Sequence, residues 1–288
     1  MKMVNATEML RAARAGGYAV GHFNLNNMES VRAFLLAAQE TRSPIILGVS
    51  GGTAKYMGGY RTIAGMVQGF MDYLGVTVPV ALHVDHGTLQ EVTDAMESGF
   101  SSVMFDGSAL PIGENIDKTR AVVMEAHARG ISVEAEVGGI GGEEDGRVNR
   151  GEFADPRQCA MLAETGIDCL AAGIGNIHGK YPADWEGLDF ALLADIRARI
   201  GGLPLVLHGG SGIPVDMIRK SISLGVGKIN VNTELQIAFT EATRQYFLAG
   251  RDRESRGFTP RAALAPGLEA TKKLCIEKME LFGSVGRA

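Results

Sequence analysis

Cysteine is scarce in this chain of 288 residues: there are three, Cys159, Cys169 and Cys275, an odd number with no C-x-x-C spacing. That argues against a disulfide framework and a thiolate metal site, and suits a reducing cytoplasm. Long apolar runs are also missing. No stretch reaches the roughly 18 residues that read as a spanning helix, so no membrane partner is expected. The first residues mix Lys2, Glu8, Arg11 and Arg14 with apolar positions, and they lack the apolar core and cleavage site of a signal peptide. There is no basic excess: the net charge is −5, which argues against a nucleic-acid partner. The 39 glycines follow no three-residue period, which excludes collagen. Apolar residues at 45% and charged residues at 21% describe an ordinary globular chain, not a disordered one.

What is present is alternation. Short runs rich in Val, Ile, Leu and Ala read as strands at Ala19–Asn24, Pro44–Ser50, Val78–His86, Ser101–Asp106, Ile131–Val137, Cys169–Ile177, Pro204–Leu207 and Lys228–Val231. Strands of this composition are covered on both faces. Between them lie segments with apolar residues at helical spacing, such as Val31, Leu35 and Ala38. Gly17, Gly99, Gly130 and Gly166 precede strands, where a helix ends and the chain turns inward. Eight such alternations predict a (β/α)8 TIM barrel, with a doubly wound open sheet as the rival. An additional C-terminal helical segment, Leu268–Phe282, follows the eighth unit. No linker or repeat breaks the chain, so a single domain over 1–288 is expected.

Barrel enzymes carry their chemistry at the C-terminal ends of the strands. Of the six histidines, His86, His178 and His208 fall at the ends of strands three, six and seven, each followed by glycine. Three imidazoles around an open fourth position make a catalytic zinc arrangement, although a lone strand-end histidine is ordinarily a hydrogen-bonded structural residue. His83, earlier in its strand, reads as buried and structural. Asp106 and Glu136, at neighbouring strand ends, can bind a second cation, orient the first ligands, or form structural salt bridges. Gly209-Gly210-Ser211-Gly212 and Asn230-Val231-Asn232-Thr233 follow strands seven and eight. Barrels frequently bind phosphate there through backbone N–H groups; the plainer alternative is a tight turn with Thr233 as a helix N-cap. The stretch Gly138–Gly146 reads either as a mobile loop closing over substrate or as an acidic surface loop.

These residues resemble the zinc-dependent, class II fructose-bisphosphate aldolase family. The resemblance runs from Tyr18-Ala19-Val20-Gly21-His22-Phe23-Asn24 to Phe282-Gly283-Ser284. Its most specific parts are His83-Val84-Asp85-His86-Gly87, Glu134-Ala135-Glu136-Val137-Gly138, Gly142-Glu143-Glu144-Asp145-Gly146 and the two glycine- and asparagine-bearing motifs after strands seven and eight. It implies a catalytic Zn²⁺ on His86, His178 and His208, and a second cation near Asp106 and Glu136. Asp85 would be the acid/base at the C4 oxygen. Glu144 would be the base exchanging the proton of the dihydroxyacetone phosphate carbon. Gly179, Gly209, Gly210, Ser211, Asn230, Val231, Asn232 and Thr233 would hold dihydroxyacetone phosphate, and Asn24 and Ser50 would make polar substrate contacts. Arg261 would reach the distal phosphate in a neighbouring subunit, which implies a homodimer or homotetramer. The family usually shows Asp-Pro-Arg where this chain has Thr259-Pro260-Arg261, and Val84 replaces the commoner Leu.

The implied reaction is reversible cleavage of fructose 1,6-bisphosphate to dihydroxyacetone phosphate and glyceraldehyde 3-phosphate in the cytoplasm. Breaking a C3–C4 bond leaves charge on C3 and needs the C2 carbonyl as an electron sink. Zn²⁺ polarising that carbonyl makes a Schiff-base lysine unnecessary, with Lys228 on strand eight as the rival nucleophile. Tagatose 1,6-bisphosphate and an inositol-catabolic phospho-ketodeoxygluconate are alternative substrates of the same chemistry. A metal-dependent sugar-phosphate epimerase and a non-catalytic sugar-phosphate sensor are rivals from other classes; the Asp85–His86 pair and the Glu-bearing loop favour the lyase.

Overall fold

Eight strands close into a ring. A computed structural model describes residues 2–144 and 147–288, without the side chains at 144 and 147–149. The strands are β1 (Val20–Asn24), β2 (Ile45–Val49), β3 (Val80–Gly87), β4 (Ser102–Phe105), β5 (Ser132–Val137), β6 (Gly141–Glu144), β7 (Arg147–Asn149), β8 (Cys169–Ala172), β9 (Ile177–His178), β10 (Leu205–Leu207) and β11 (Val226–Val231). The barrel order is β1-β11-β10-β8-β5-β4-β3-β2, and every pairing in it is parallel. Helices follow the strands around the outside, as expected for a (β/α)8 barrel. The C-terminal helix runs from Pro260 to Phe282, longer than its apolar pattern, and packs between the helices Met28–Thr41 and Thr233–Leu248. Its last carbonyl, on Phe282, accepts from the N–H of Ala19, 3.0 Å away, and so ties the chain's end to the entry of β1.

Side chains of a strand alternate between faces, and the two faces here have different fates. Phe23, Leu47, Leu82, Val103, Val133, Leu170 and Ile229 point outward into the layer between barrel and helices. Val20, Ile46, Ala81, Met104, Ala171 and Val206 point inward and form the floor of the interior. The first helix, Thr7–Gly16, plugs that floor from below with Met9, Leu10 and Ala13. Above the floor the inward positions become polar: His22, His83, Glu134 and Lys228 are all buried there. Space in this layer is tight. A Cβ on Gly48 would stand 1.6 Å from Nε2 of His22, so only glycine fits opposite that ring.

The expected sixth strand, Cys169–Ile177, is shorter than its composition suggests. β8 stops at Ala172 because the backbone turns at Gly173 and Gly175; a Cβ on Gly173 would collide with the Glu152 carbonyl at 2.1 Å, and Gly175 adopts φ +93. His178 therefore lies on a separate two-residue strand, β9, not at the end of the barrel strand itself. The Gly138–Gly146 stretch is not wholly loop either. Its Gly141–Glu144 part forms β6, which pairs antiparallel with β7 and parallel with β9 in a small second sheet. No helix among the described residues is long and apolar enough to cross a membrane.

Candidate active site

The upper mouth of the barrel is built by the last inward positions of the strands. Asp85 faces inward near the end of β3, so regular alternation would turn His86 outward. The strand breaks its pattern there. His86 adopts φ +50, and the register with β4 shifts between Val84 and Gly87. Such a left-handed residue is costly without glycine and is tolerated where a site demands it. The result is that two consecutive side chains serve one pocket.

His178 and His208 complete the set by different routes. His208 follows β10 directly. His178 is carried in by the small sheet, where Gly142 pairs with it so closely that a Cβ on Gly142 would lie 2.1 Å from the His178 carbonyl oxygen. Asn176 locks the two segments together by donating from Nδ2 to the His208 carbonyl at 3.0 Å. Tyr181 adds a second clamp: its hydroxyl accepts from the Ile177 N–H at 3.0 Å and donates to the Gly209 carbonyl at 2.9 Å. The three imidazoles meet edge to face, and their nearest ring nitrogens all lie within 4.8 Å of one another.

The outer partners of two of these rings decide what the inner nitrogens are. Nδ1 of His86 is 2.8 Å from Oδ2 of Asp106, and Nε2 of His208 is 2.8 Å from Oε1 of Glu134. An ionised carboxylate only accepts, so both outer nitrogens carry the proton. The inner nitrogens, Nε2 of His86 and Nδ1 of His208, then face each other at 2.8 Å with lone pairs. Two acceptors that close call for a shared cation. Burial and the neighbouring His86 and His208 rings keep the His178 pKa well below its ordinary value, and burial with His86 lowers His208. Neutral imidazoles carrying lone pairs are the form that binds a metal. Asp106 and Glu136 also form a group with His86 that could hold an ion, with Oε2 of Glu136 at 3.9 Å from Nδ1 of His86.

Asp85 sits beside the histidines and is almost fully buried. Asn24 donates to its Oδ2 at 2.8 Å and Asn230 donates to its Oδ1 at 3.2 Å. Burial alone would raise its pKa, but the His22, His86 and His208 rings and the Lys228 ammonium outweigh that and hold the carboxyl well below the usual range. Lys228 itself is closed away from the pocket and ion-paired with Glu134 at 2.8 Å, so it is not presented as a Schiff-base nucleophile.

The pocket runs from Asp85 and His178 toward Gly179, Gly209, Ser211, Asn232 and Thr233. Asn232 stands at the N-cap position and makes no side-chain cap bond; Thr233 is the first helical residue, not the cap. Ser211 Oγ instead accepts the Glu234 N–H at 3.3 Å. Gly210 is drawn against β11 by its N–H to the Asn230 carbonyl at 2.8 Å. Val231 packs its side chain into the outer core, so only its backbone can serve a ligand. Ser50 caps the helix Gly51–Tyr56 by accepting from the Thr53 N–H and does not line the pocket. Arg261 is exposed at the second position of the C-terminal helix, away from this pocket. The Glu144 side chain lies outside the described residues, as do Asp145 and Gly146. Glu143, one residue earlier, lines the pocket. Sequence reasoning missed Asn26 and Gln236. Gln236 lies one helical turn after Thr233, lines the pocket, and donates to Asn26 at 2.6 Å; the i, i+3 spacing was the available signal.

The family model for class II fructose-bisphosphate aldolases matches residues 4–287. The chain belongs to that family. A fructose-bisphosphate aldolase of Streptococcus pyogenes serotype M3 is 50% identical, with all of each chain covered. One from Mycoplasma pneumoniae is 48% identical over 99% of this chain and 100% of its own. Among solved structures, the YdjI aldolase of Escherichia coli K12 superimposes with a TM-score of 0.84 at 32% identity, covering 99% of both chains. The chain is thus a class II aldolase, a metal-dependent carbon–carbon lyase acting on a sugar phosphate, and the facing lone pairs of His86 and His208 are where such a metal fits. The geometry also makes a glycine indispensable. Gly209 adopts φ +67, and a Cβ there would stand 2.2 Å from the Ile177 carbonyl oxygen. Gly209→Ala should therefore push β9 and the loop after β10 apart. Steady-state kinetics should show at least a tenfold loss in kcat/KM, while circular dichroism shows the barrel retained.

Proposed function

We propose that this chain cleaves fructose 1,6-bisphosphate reversibly to dihydroxyacetone phosphate and glyceraldehyde 3-phosphate, with Zn²⁺ on His86, His178 and His208. The observation that carries it is the opposed lone pairs of His86 and His208 next to a restrained, ionised Asp85. Three neutral imidazoles with an open position are a zinc donor set. When bound, that ion would supply Lewis-acid polarisation of the substrate carbonyl. Asp85 removes the C4 hydroxyl proton in cleavage and returns it in condensation. Asn24 and Asn230 hold both its oxygens, so the carboxylate is aimed before substrate arrives. Glu144 exchanges the proton on the dihydroxyacetone phosphate carbon. Gly179, Gly209, Gly210, Ser211, the Val231 backbone, Asn232 and Thr233 bind the dihydroxyacetone phosphate end, and Asn24, which lines the same pocket, makes a further polar contact. Asp106 orients His86 and, with Glu136, would hold a second cation.

The full-length relatives named fructose-bisphosphate aldolase support that substrate over tagatose 1,6-bisphosphate and over phospho-ketodeoxygluconate. We also place the chain in the cytoplasm as one domain over 1–288, assembled as a homodimer or homotetramer. Three buried free thiols suit that compartment, and β1 pairing with β11 joins the two ends of the chain in one barrel. A bisphosphate has two anionic ends, and the loops after β10 and β11 account for one. Arg261, exposed and away from its own pocket, is free to serve the distal phosphate in a neighbouring subunit, where a planar guanidinium suits the oxygens.

Three measurements test this reading. Exhaustive chelation should abolish cleavage of fructose 1,6-bisphosphate and added Zn²⁺ should restore it; full activity without bound metal, or a preference for the tagatose bisphosphate, would reject the corresponding part. Asp85→Ala should lower cleavage by about 10²–10⁴-fold while sparing proton exchange on dihydroxyacetone phosphate, and Glu144→Ala should show the reverse emphasis. Arg261→Ala should raise KM for the bisphosphate. Mixed with Asp85→Ala subunits under exchange, it should regain activity, because one hybrid site holds both residues; no recovery would remove the shared-site assignment.

A further inference from the structure

We infer that the buried Glu134–Lys228 pair is the positioning device for His208, setting which ring nitrogen faces the metal position and how firmly it is held there. The inference rests on the metal reading above. Glu134 comes from β5, Lys228 from β11, and His208 from the end of β10. The pair lies below the pocket: Glu134 is 0% exposed and Lys228 1%. One carboxylate does two separate tasks with its two oxygens. Oε1 accepts from Nε2 of His208 at 2.8 Å. Oε2 is occupied by the Lys228 ammonium at 2.8 Å, an ion pair not aligned as a hydrogen bond, and by the Cys169 thiol, which donates at 3.4 Å. Lys228 thus holds Oε2 and leaves Oε1 for the imidazole.

Stability does not explain such a pair. A buried ion pair costs so much desolvation that well-packed apolar replacements are often neutral or better, whereas removing one partner alone is strongly destabilising. Substrate binding does not explain it either, since neither residue lines the pocket. What the pair does touch is a ring whose other nitrogen faces His86. A carboxylate on the outer nitrogen fixes the tautomer and strengthens the inner one as a donor to metal.

The test uses full-length protein loaded with Zn²⁺: wild type, Glu134→Gln, Lys228→Met, and the double variant. Zn²⁺ release into excess chelator is followed with a colorimetric indicator, and thermal melting is followed on the same chains after chelation. Glu134→Gln and the double variant should release Zn²⁺ about 10–100-fold faster than wild type. Both single variants should lose melting temperature, because each leaves the other member of the pair buried without its counter-charge. The double variant should regain most of that melting temperature, yet still release Zn²⁺ as fast as Glu134→Gln. A purely structural role predicts that metal retention follows melting temperature, so a double variant that holds Zn²⁺ like wild type overturns the inference. If wild type holds Zn²⁺ and the variants do too, only this inference falls. If wild type takes up no Zn²⁺, the metal reading falls and takes this one with it.

Discussion

A closed ring of parallel strands has an interior that only every second residue can reach, and everything at this site follows from how those inward positions are spent. The lowest layer is apolar and sealed by the N-terminal helix. The next holds His22, His83, Glu134 and Lys228 with almost no exposure. The top holds Asn24, Asp85, Glu136, His208 and Asn230. Burying several ionisable groups one layer deep would cost several kcal/mol per uncompensated charge. Here Glu134 meets the Lys228 ammonium and the His208 N–H, and Asp85 accepts from the Asn24 and Asn230 amides. Burial would raise the Glu134 pKa, but the Lys228 ammonium and the His208 N–H outweigh it and hold that carboxyl well below its ordinary range. His83 goes the other way: burial and Lys228 push its pKa down to about 3, so it stays neutral, 2.8 Å from Ser102.

Regular alternation delivers one side chain per strand to the mouth, which is fewer than the chemistry uses. The exceptions are local and each has a backbone cause. The left-handed turn at His86 recruits a second residue from β3. The glycine break after β8 releases the chain to build β9, and the small sheet with β6 brings His178 across the mouth. The left-handed His86 and the glycine-dependent His178 thus place two departures from regular backbone at one mouth of the barrel. The surrounding barrel, with its continuous hydrogen-bonded ring, absorbs them.

Much of this was legible in the residues. The βα alternation was readable because strands covered on both faces run continuously apolar, and the observed barrel has eight strands where eight such runs occur. Histidines followed by glycine at strand ends marked the mouth, since a glycine allows the turn that leaves the imidazole facing in. The hairpin of β6 and β7 was hidden because Gly141–Glu144 has no β-type side chains; its pairing is set by β9 and not by its own propensity. Gln236 and Asn26 were hidden because neither belongs to a motif and they meet from opposite ends of the chain.

By itself the sequence determined the barrel class, the identity of the three imidazoles and the carboxylates available to them, because periodicity and residue type are properties of the chain. Only the tertiary structure decided which nitrogen His86 and His208 present. That choice depends on Asp106 standing 2.8 Å from one side of His86 and Glu134 standing 2.8 Å from one side of His208. A proton on one ring nitrogen moves to whichever side finds an acceptor, and acceptors 20 and 74 residues away along the chain are brought there only by closing the ring.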